Sequence, residues 1–139
     1  MHYSKSITVR TQGRGTSEIT DRVQAIVAQS GIRSGLCTVF IHHTSASLII
    51  CENADPAVRR DLESYINRLV ADGDRAYTHA SEGADDMAAH IRSVLTQTSI
   101  GIPVEQGRCA LGTWQGVYLW EHRYQAHGRR VSITVIGDR

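Results

Sequence analysis

Histidines and carboxylates able to do acid–base or metal chemistry recur in three stretches of this 139-residue chain. The first, VFIHHTSASLIICEN (Val39 to Asn53), carries His42, His43, Thr44, Ser45, Ser47 and Glu52. Side chains alternate along a strand, so His43 shares a face with Val39 and Ile41, while His42 lies with Thr38 and Phe40. At most one of the two histidines serves a given site. The second stretch, YTHASEGADDMAAH, sets His79 in a polar loop and Glu82 just before a helix. Asp85 and Asp86 occupy the first turn of that helix, and His90 follows Asp86 by four residues on the same face.

Acids at a helix start have a plain structural explanation, because they stabilise the helix dipole by about 0.3–1 kcal/mol. The same spacing also suits a carboxylate–histidine cluster that holds a divalent cation or orients a general acid–base histidine. Two acids make this helix start a poor direct cradle for phosphate, so an anionic substrate would need a metal or arginines to mediate. His79 converges with a strand histidine such as His43 only if the sheet edge approaches its loop. Two histidines and one carboxylate would then make an open site suited to zinc or a similar metal.

The third stretch, LGTWQGVYLWEHR, alternates so that Trp114, Tyr118, Trp120 and His122 share one face and Gln115, Val117, Leu119, Glu121 and Arg123 the other. One reading is a sheet interface between subunits, where Trp and Tyr serve as anchors. The other makes Glu121 a general base or ligand and Gln115 a hydrogen-bond donor to substrate. Nucleophile signals are weak: the TSAS segment lacks the G-x-S-x-G elbow, and Thr44, Ser45 and Ser47 read as turn and pocket hydroxyls. Phosphate-binding glycine loops are absent.

The elements that must position these residues follow from periodicity. Strands are expected over Lys5 to Gln12, 36 to 43, 46 to 52, 99 to 105, 109 to 122 and 130 to 136. One helix, capped by Thr or Ser, carries Ile19, Val23, Ile26 and Val27 on one face and stops at Gly31. A second starts at the Asp55 cap with Pro56 in its first turn, and a third runs from Asp85 to about Thr98. The order indicates an α+β domain spanning 1–139, with a mainly antiparallel sheet packed against about three helices. Three scattered cysteines, Cys37, Cys51 and Cys109, read as small buried hydrophobes. A net charge of +1 argues against nucleic acid, and the absence of a long apolar run argues against a membrane span or leader, so a cytoplasmic protein is expected.

Taken together, HTSASLIICEN (43–53), EGADDMAAHIRS (82–93) and LGTWQGVYLWEHR (111–123) resemble the signature of the YjbQ-like family of small proteins, in order and over nearly the whole chain. The resemblance implies an antiparallel α+β fold and a homotrimer. It also implies an ancillary thiamine-phosphate synthase activity, which joins a hydroxymethylpyrimidine pyrophosphate to a thiazole phosphate, beside an unsettled main role. Carried over, it points to His43, Glu52, Asp86, His90 and Glu121 as catalytic groups and to Asn53, Trp114 and Gln115 as substrate contacts. Thr44 and Ser45 join these contacts as pocket hydroxyls, and Arg129 joins on charge alone. His43, His79, Asp85, Asp86 and His90 become ligands of a divalent metal, zinc or magnesium. The partner is then a small, phosphorylated molecule. Rival readings are a metal-dependent hydrolase and a non-catalytic trimeric module that binds a metabolite or metal.

Overall fold

Alternation decides the strands, and it is clearest in the last one. From Arg129 to Val135 every second residue is buried, with Val131, Ile133 and Val135 on the inner face and Arg129 at its end. The computed structural model describes residues 1–139, in the order β1 (His2–Arg10), β2 (Gly15–Glu18), α1 (Thr20–Ser30), β3 (Ser34–Ile41), β4 (Ala46–Glu52), α2 (Pro56–Leu69), α3 (Asp86–Leu95), β5 (Ser99–Glu105), β6 (Arg108–Cys109), β7 (Gln115–Glu121) and β8 (Gly128–Asp138). All strand pairs are antiparallel, as expected, but they form two sheets rather than one. A five-stranded sheet runs β1-β8-β3-β5-β6, and a three-stranded sheet runs β2-β7-β4.

The small sheet separates two apolar clusters. Ala46, Leu48, Val117 and Leu119 face the main core, which they share with the large sheet and with Val23, Ile26 and Val27 of α1. Trp120 faces the other way, against Ile66, Val70 and Ala88 of α2, its C-terminal end and α3. Two of the three helices therefore cover the outer face of the small sheet, and α1 closes the main core. Gly31 ends α1 with φ 69°, a left-handed conformation that glycine adopts without the Cβ penalty.

Several boundaries differ from the periodic pattern. The expected strand 109–122 breaks over residues 110–114, because Gln115 folds back and its Oε1 accepts from the Gly112 N–H. Residue Ile19, without a side-chain bond, stands where a Thr or Ser cap was expected for α1. Thr20 instead bridges Glu18 and the Val117 N–H, stitching the helix start to β7. The third helix begins one residue later than expected and stops at Leu95, where Thr96 Oγ1 donates to the Arg92 carbonyl. Strand β2, four residues of GTSE with no apolar side chain, has no counterpart in the periodic pattern. The polar segment between α2 and α3 is pinned by Arg14, whose guanidinium meets Asp72 at 2.6 Å, and by the Gly73 N–H, which donates to the Ala84 carbonyl. No helix is long and apolar enough to cross a membrane.

Candidate functional site

Helical spacing brings Asp86 and His90 together as the i, i+4 rule requires, with His90 Nε2 3.2 Å from Asp86 Oδ2. The loop adds His79, whose Nε2 lies 2.7 Å from the same oxygen and 3.2 Å from Glu82 Oε2. The ligand atoms of His79, Asp86 and His90 all fall within 4.8 Å of one another. The other Asp86 oxygen, Oδ1, accepts from Arg123 Nη1 at 2.7 Å. Burial alone would raise the Asp86 pKa. The His79 hydrogen bond and the Arg123 and His90 charges outweigh it and hold the carboxylate ionised below its ordinary range.

Asp85 and His43 stand outside this cluster, contrary to the ligand set expected from sequence. The Asp85 carboxylate accepts from Arg123 Nε and the Tyr124 N–H, so it anchors the arginine that orients Asp86. His43 presents Nε2 to the Arg130 N–H at 2.8 Å, and that lone pair is therefore spent on backbone. Burial, and then the Arg129 charge, lower the His43 pKa, which favours the neutral ring. His42, on the opposite face, bonds Ser132 Oγ near solvent.

Glu121 is fully buried and has no free lone pair for a proton-transfer role. Arg129 clamps it through Nε and Nη2, Thr11 Oγ1 donates to it at 2.8 Å, and the His122 and Arg123 N–H groups complete its shell. These donors overcome burial and lower its pKa, which removes the general-base role expected for it. The clamp also fixes Arg129, whose Nη2 reaches the Ser45 carbonyl and Oγ.

The remaining expected residues lie at the far end of the small sheet. The antiparallel register pairs Ala46 with Glu121 at one end and Glu52 with Gln115 at the other. Six strand steps separate these ends by about 20 Å. There Glu52 Oε2 accepts from the Asp55 N–H before α2, Asn53 bonds the Thr113 and Gln115 carbonyls, and Trp114 is exposed. Within one chain these residues do not meet the histidine–aspartate cluster. Their positions suit the turns that they hold.

Sequence reasoning missed a buried polar ladder beneath the cluster. Arg92 of α3 is fully buried and donates to Glu63 Oε2, to Asn67 and, through Nε, to His122 Nδ1 at 3.0 Å. Nδ1 must accept, so Nε2–H donates to Ser47 Oγ at 2.8 Å. The polarity is the reverse of a serine–histidine–acid triad, and His122 cannot take a proton from Ser47. Burial, then the Arg92, Arg14 and Arg129 charges, push the His122 pKa down to about 2. Arg92 is a basic residue on the buried side of α3, where Asp86 is buried too, and its spacing along the helix does not name partners on α2 and just after β7.

Two cavities flank the cluster. One of about 410 Å³ lies on the His79 side, lined among others by Arg75, Tyr77 and Met87. The other, about 200 Å³, lies between the 43–44 turn and α3, and His90 lines it.

The chain matches the family model for the UPF0047 protein YjbQ-like family over residues 5–138. It is 52% identical over 136 residues to a UPF0047 protein of Synechocystis sp., covering 98% of this chain and 92% of that one. It is 41% identical over 139 residues to UPF0047 protein YjbQ of Escherichia coli O157:H7, covering 99% and 100%. Among solved structures, a hypothetical protein of Aeropyrum pernix K1 superposes with TM-score 0.89 at 28% identity, covering 98% and 99% of the two chains. An uncharacterized YjbQ/UPF0047-family protein of Clostridium acetobutylicum superposes with TM-score 0.83 at 34% identity, covering 96% and 99%. These relatives are designated by family alone, and a YbjQ-like protein of Sulfolobus solfataricus with the same fold is designated as being of unknown function. The thiamine-phosphate synthase activity implied by the resemblance is corrected accordingly: none of these relatives is designated by that or any other activity. The chain belongs to the UPF0047, or YjbQ-like, family.

Proposed function

We propose that this protein is a divalent-metal-binding protein whose His79, Asp86 and His90 hold one ion with coordination positions left for a small molecule. The observation that carries the reading is the convergence of two Nε2 atoms on one Asp86 oxygen within a 4.8 Å cluster. Ligands about 2.0–2.1 Å from a tetrahedral ion lie about 3.3 Å apart, close to the 2.7 and 3.2 Å separations present. Two imidazoles favour zinc over magnesium, which prefers oxygen ligands and retained water. Arg123 on Asp86 Oδ1 supplies the outer-shell support that such sites need. With three protein ligands, the ion would bind and polarise an oxygen of water or of a bound molecule.

The finer features of the reading have their own supports. Leu36 and Ile136, directly paired across β3 and β8, and nearby Phe40 leave an apolar strip exposed on the large sheet, which supports self-association; the number of copies, three, is what the family resemblance implies. Three free thiols support a reducing compartment, the cytoplasm.

Metal analysis and zinc titration of wild type, His79→Ala, His90→Ala, Asp86→Asn and His43→Ala test the proposal. One ion per chain in wild type, lost in the first three variants and retained in His43→Ala, is the expected result. Equal zinc affinity in wild type and Asp86→Asn would overturn it.

A further inference from the structure

Three buried or half-buried donors beside His43 have no protein acceptor. The His43 imidazole lies between two groups that only donate: the Arg130 N–H, 2.8 Å from Nε2, and Arg129 Nη1, 3.4 Å from Nδ1. A neutral imidazole accepts at one nitrogen alone. The shorter, backbone contact takes that lone pair, so Nδ1 carries the proton and faces a second donor. A doubly protonated ring would accept from neither neighbour.

Arg129 is itself almost wholly buried, and its Nε and Nη2 are spent on Glu121 and Ser45. Its Nη1 touches only the Nδ1–H of His43 and is in effect unpaired. On the facing helix, Ser93 is 3% exposed and its Oγ has no partner. His43 and Ser93 line the same cavity of about 200 Å³, with Thr44, Thr98 and Val94. No carboxylate lines it. Buried donors left without protein acceptors are costly, and an oxygen acceptor entering the cavity would satisfy them.

We propose that this cavity is an oxyanion subsite: a carboxylate or phosphoryl oxygen accepts from Nδ1–H of His43 and from the Ser93 hydroxyl, while the Arg129 guanidinium, 3.4 Å from Nδ1 and outside the cavity lining, adds positive charge. His90 also lines the cavity, so the oxyanion lies beside the metal centre. That adjacency rests on the metal reading above, whereas the donor arrangement stands without it. The ligand class is a small organic acid or phosphate ester whose anionic end enters here. Substrate oxygen, rather than a protein acid, would fill the open coordination of the ion.

The test follows the His43 ring by nitrogen-15 NMR during titration with inorganic phosphate and, separately, with acetate. Metal-stripped and zinc-loaded protein are each titrated. A saturable shift at His43 Nδ1 is expected, and the tighter of the two anions identifies the phosphoryl or carboxylate source. Ser93→Ala should fold normally, because its hydroxyl has no protein partner, yet bind the anion about tenfold more weakly, as loss of one hydrogen bond to a charged group implies. Absence of saturation in both forms, or equal affinity in wild type and Ser93→Ala, would refute the subsite. Zinc binding with a silent His43 leaves the metal reading intact and removes this one. An anion response without zinc binding does the opposite.

Discussion

The Arg92–His122–Ser47 ladder makes the protein sensitive to mild acid, and the size of the effect follows from one ring. His122 has an unfolded pKa near 6.5 and a folded value pushed down to about 2. Between these values the unfolded chain binds a proton there and the native chain does not. Stability from this group is thus fully present above pH 6.5 and is lost as pH falls toward the folded pKa, at about 1.4 kcal/mol per pH unit. From well above pH 6.5 down to pH 4.5 the loss is about 2–3 kcal/mol. The depressed carboxylates Glu121, Asp85 and Asp86 also lose stability on acidification, but only below about pH 4.5, where the unfolded acids protonate. His43, depressed in the same direction, adds slope with the same sign in the upper window. His122→Gln isolates the ladder, because an amide offers Arg92 one acceptor and Ser47 one donor, as the neutral ring does, and never titrates. Urea unfolding of both proteins at half-unit intervals from pH 7 to 4.5 reads the difference. Wild type should lose about 1.4 kcal/mol per unit more than the variant below pH 6.5. Parallel slopes would show that His122 is not buried neutral against Arg92.

Arg123→Gln should weaken zinc binding about 10–100-fold without removing a ligand, because Asp86 Oδ1 loses its anchor, and zinc titration measures it. Glu52→Gln and Trp114→Ala, about 20 Å away along the small sheet, should leave zinc affinity within twofold of wild type in the same assay. Gly35→Ala should cost at least about 1–3 kcal/mol in urea unfolding, since an added Cβ would stand 2.0 Å from the Ile136 carbonyl oxygen across the β3–β8 pair. Leu48→Ala, which empties a fully buried position of the main core, should cost about 2–5 kcal/mol by the same measurement.

Long periodic segments were legible because burial imposes the period directly. Val58, Leu62 and Ile66 mark α2, and Asp55 caps it through the Ala57 N–H as its position before Pro56 implies. The division into two sheets was not legible in this way. Alternating Val117, Leu119 and Trp120, Tyr118 are apolar on both faces, which fits a strand covered twice but names neither cover. Strand β2 carries no hydrophobic signal at all, since its value lies in backbone pairing with β7 and in Glu18 meeting Thr20.

The site divides along the same physical line. Asp86 and His90 are four residues apart on one helix, so their meeting is a local property and the sequence states it. His79 joins them through long-range ties on its loop: Arg14 to Asp72, the Gly73 N–H to the Ala84 carbonyl, and Arg123 Nη2 to the Glu82 carbonyl. Nothing local to YTHASEG encodes that. His43 was grouped with the metal ligands by residue type, yet its role turns on one backbone N–H, that of Arg130, which the pairing at the end of β8 delivers to Nε2. Once that lone pair is taken, a potential ligand becomes a donor. Glu121 undergoes the converse change: Arg129, on the inner face of β8, converts a candidate base into a counter-ion. Residue type thus limited what each group could do, and the hydrogen bond made by its other atom selected among the options. The histidine beside the cavity is therefore better tested as a hydrogen-bond donor than as a base: replacing His43 by Gln, whose amide can accept from Arg130 and still donate, should preserve anion binding far better than His43→Ala does.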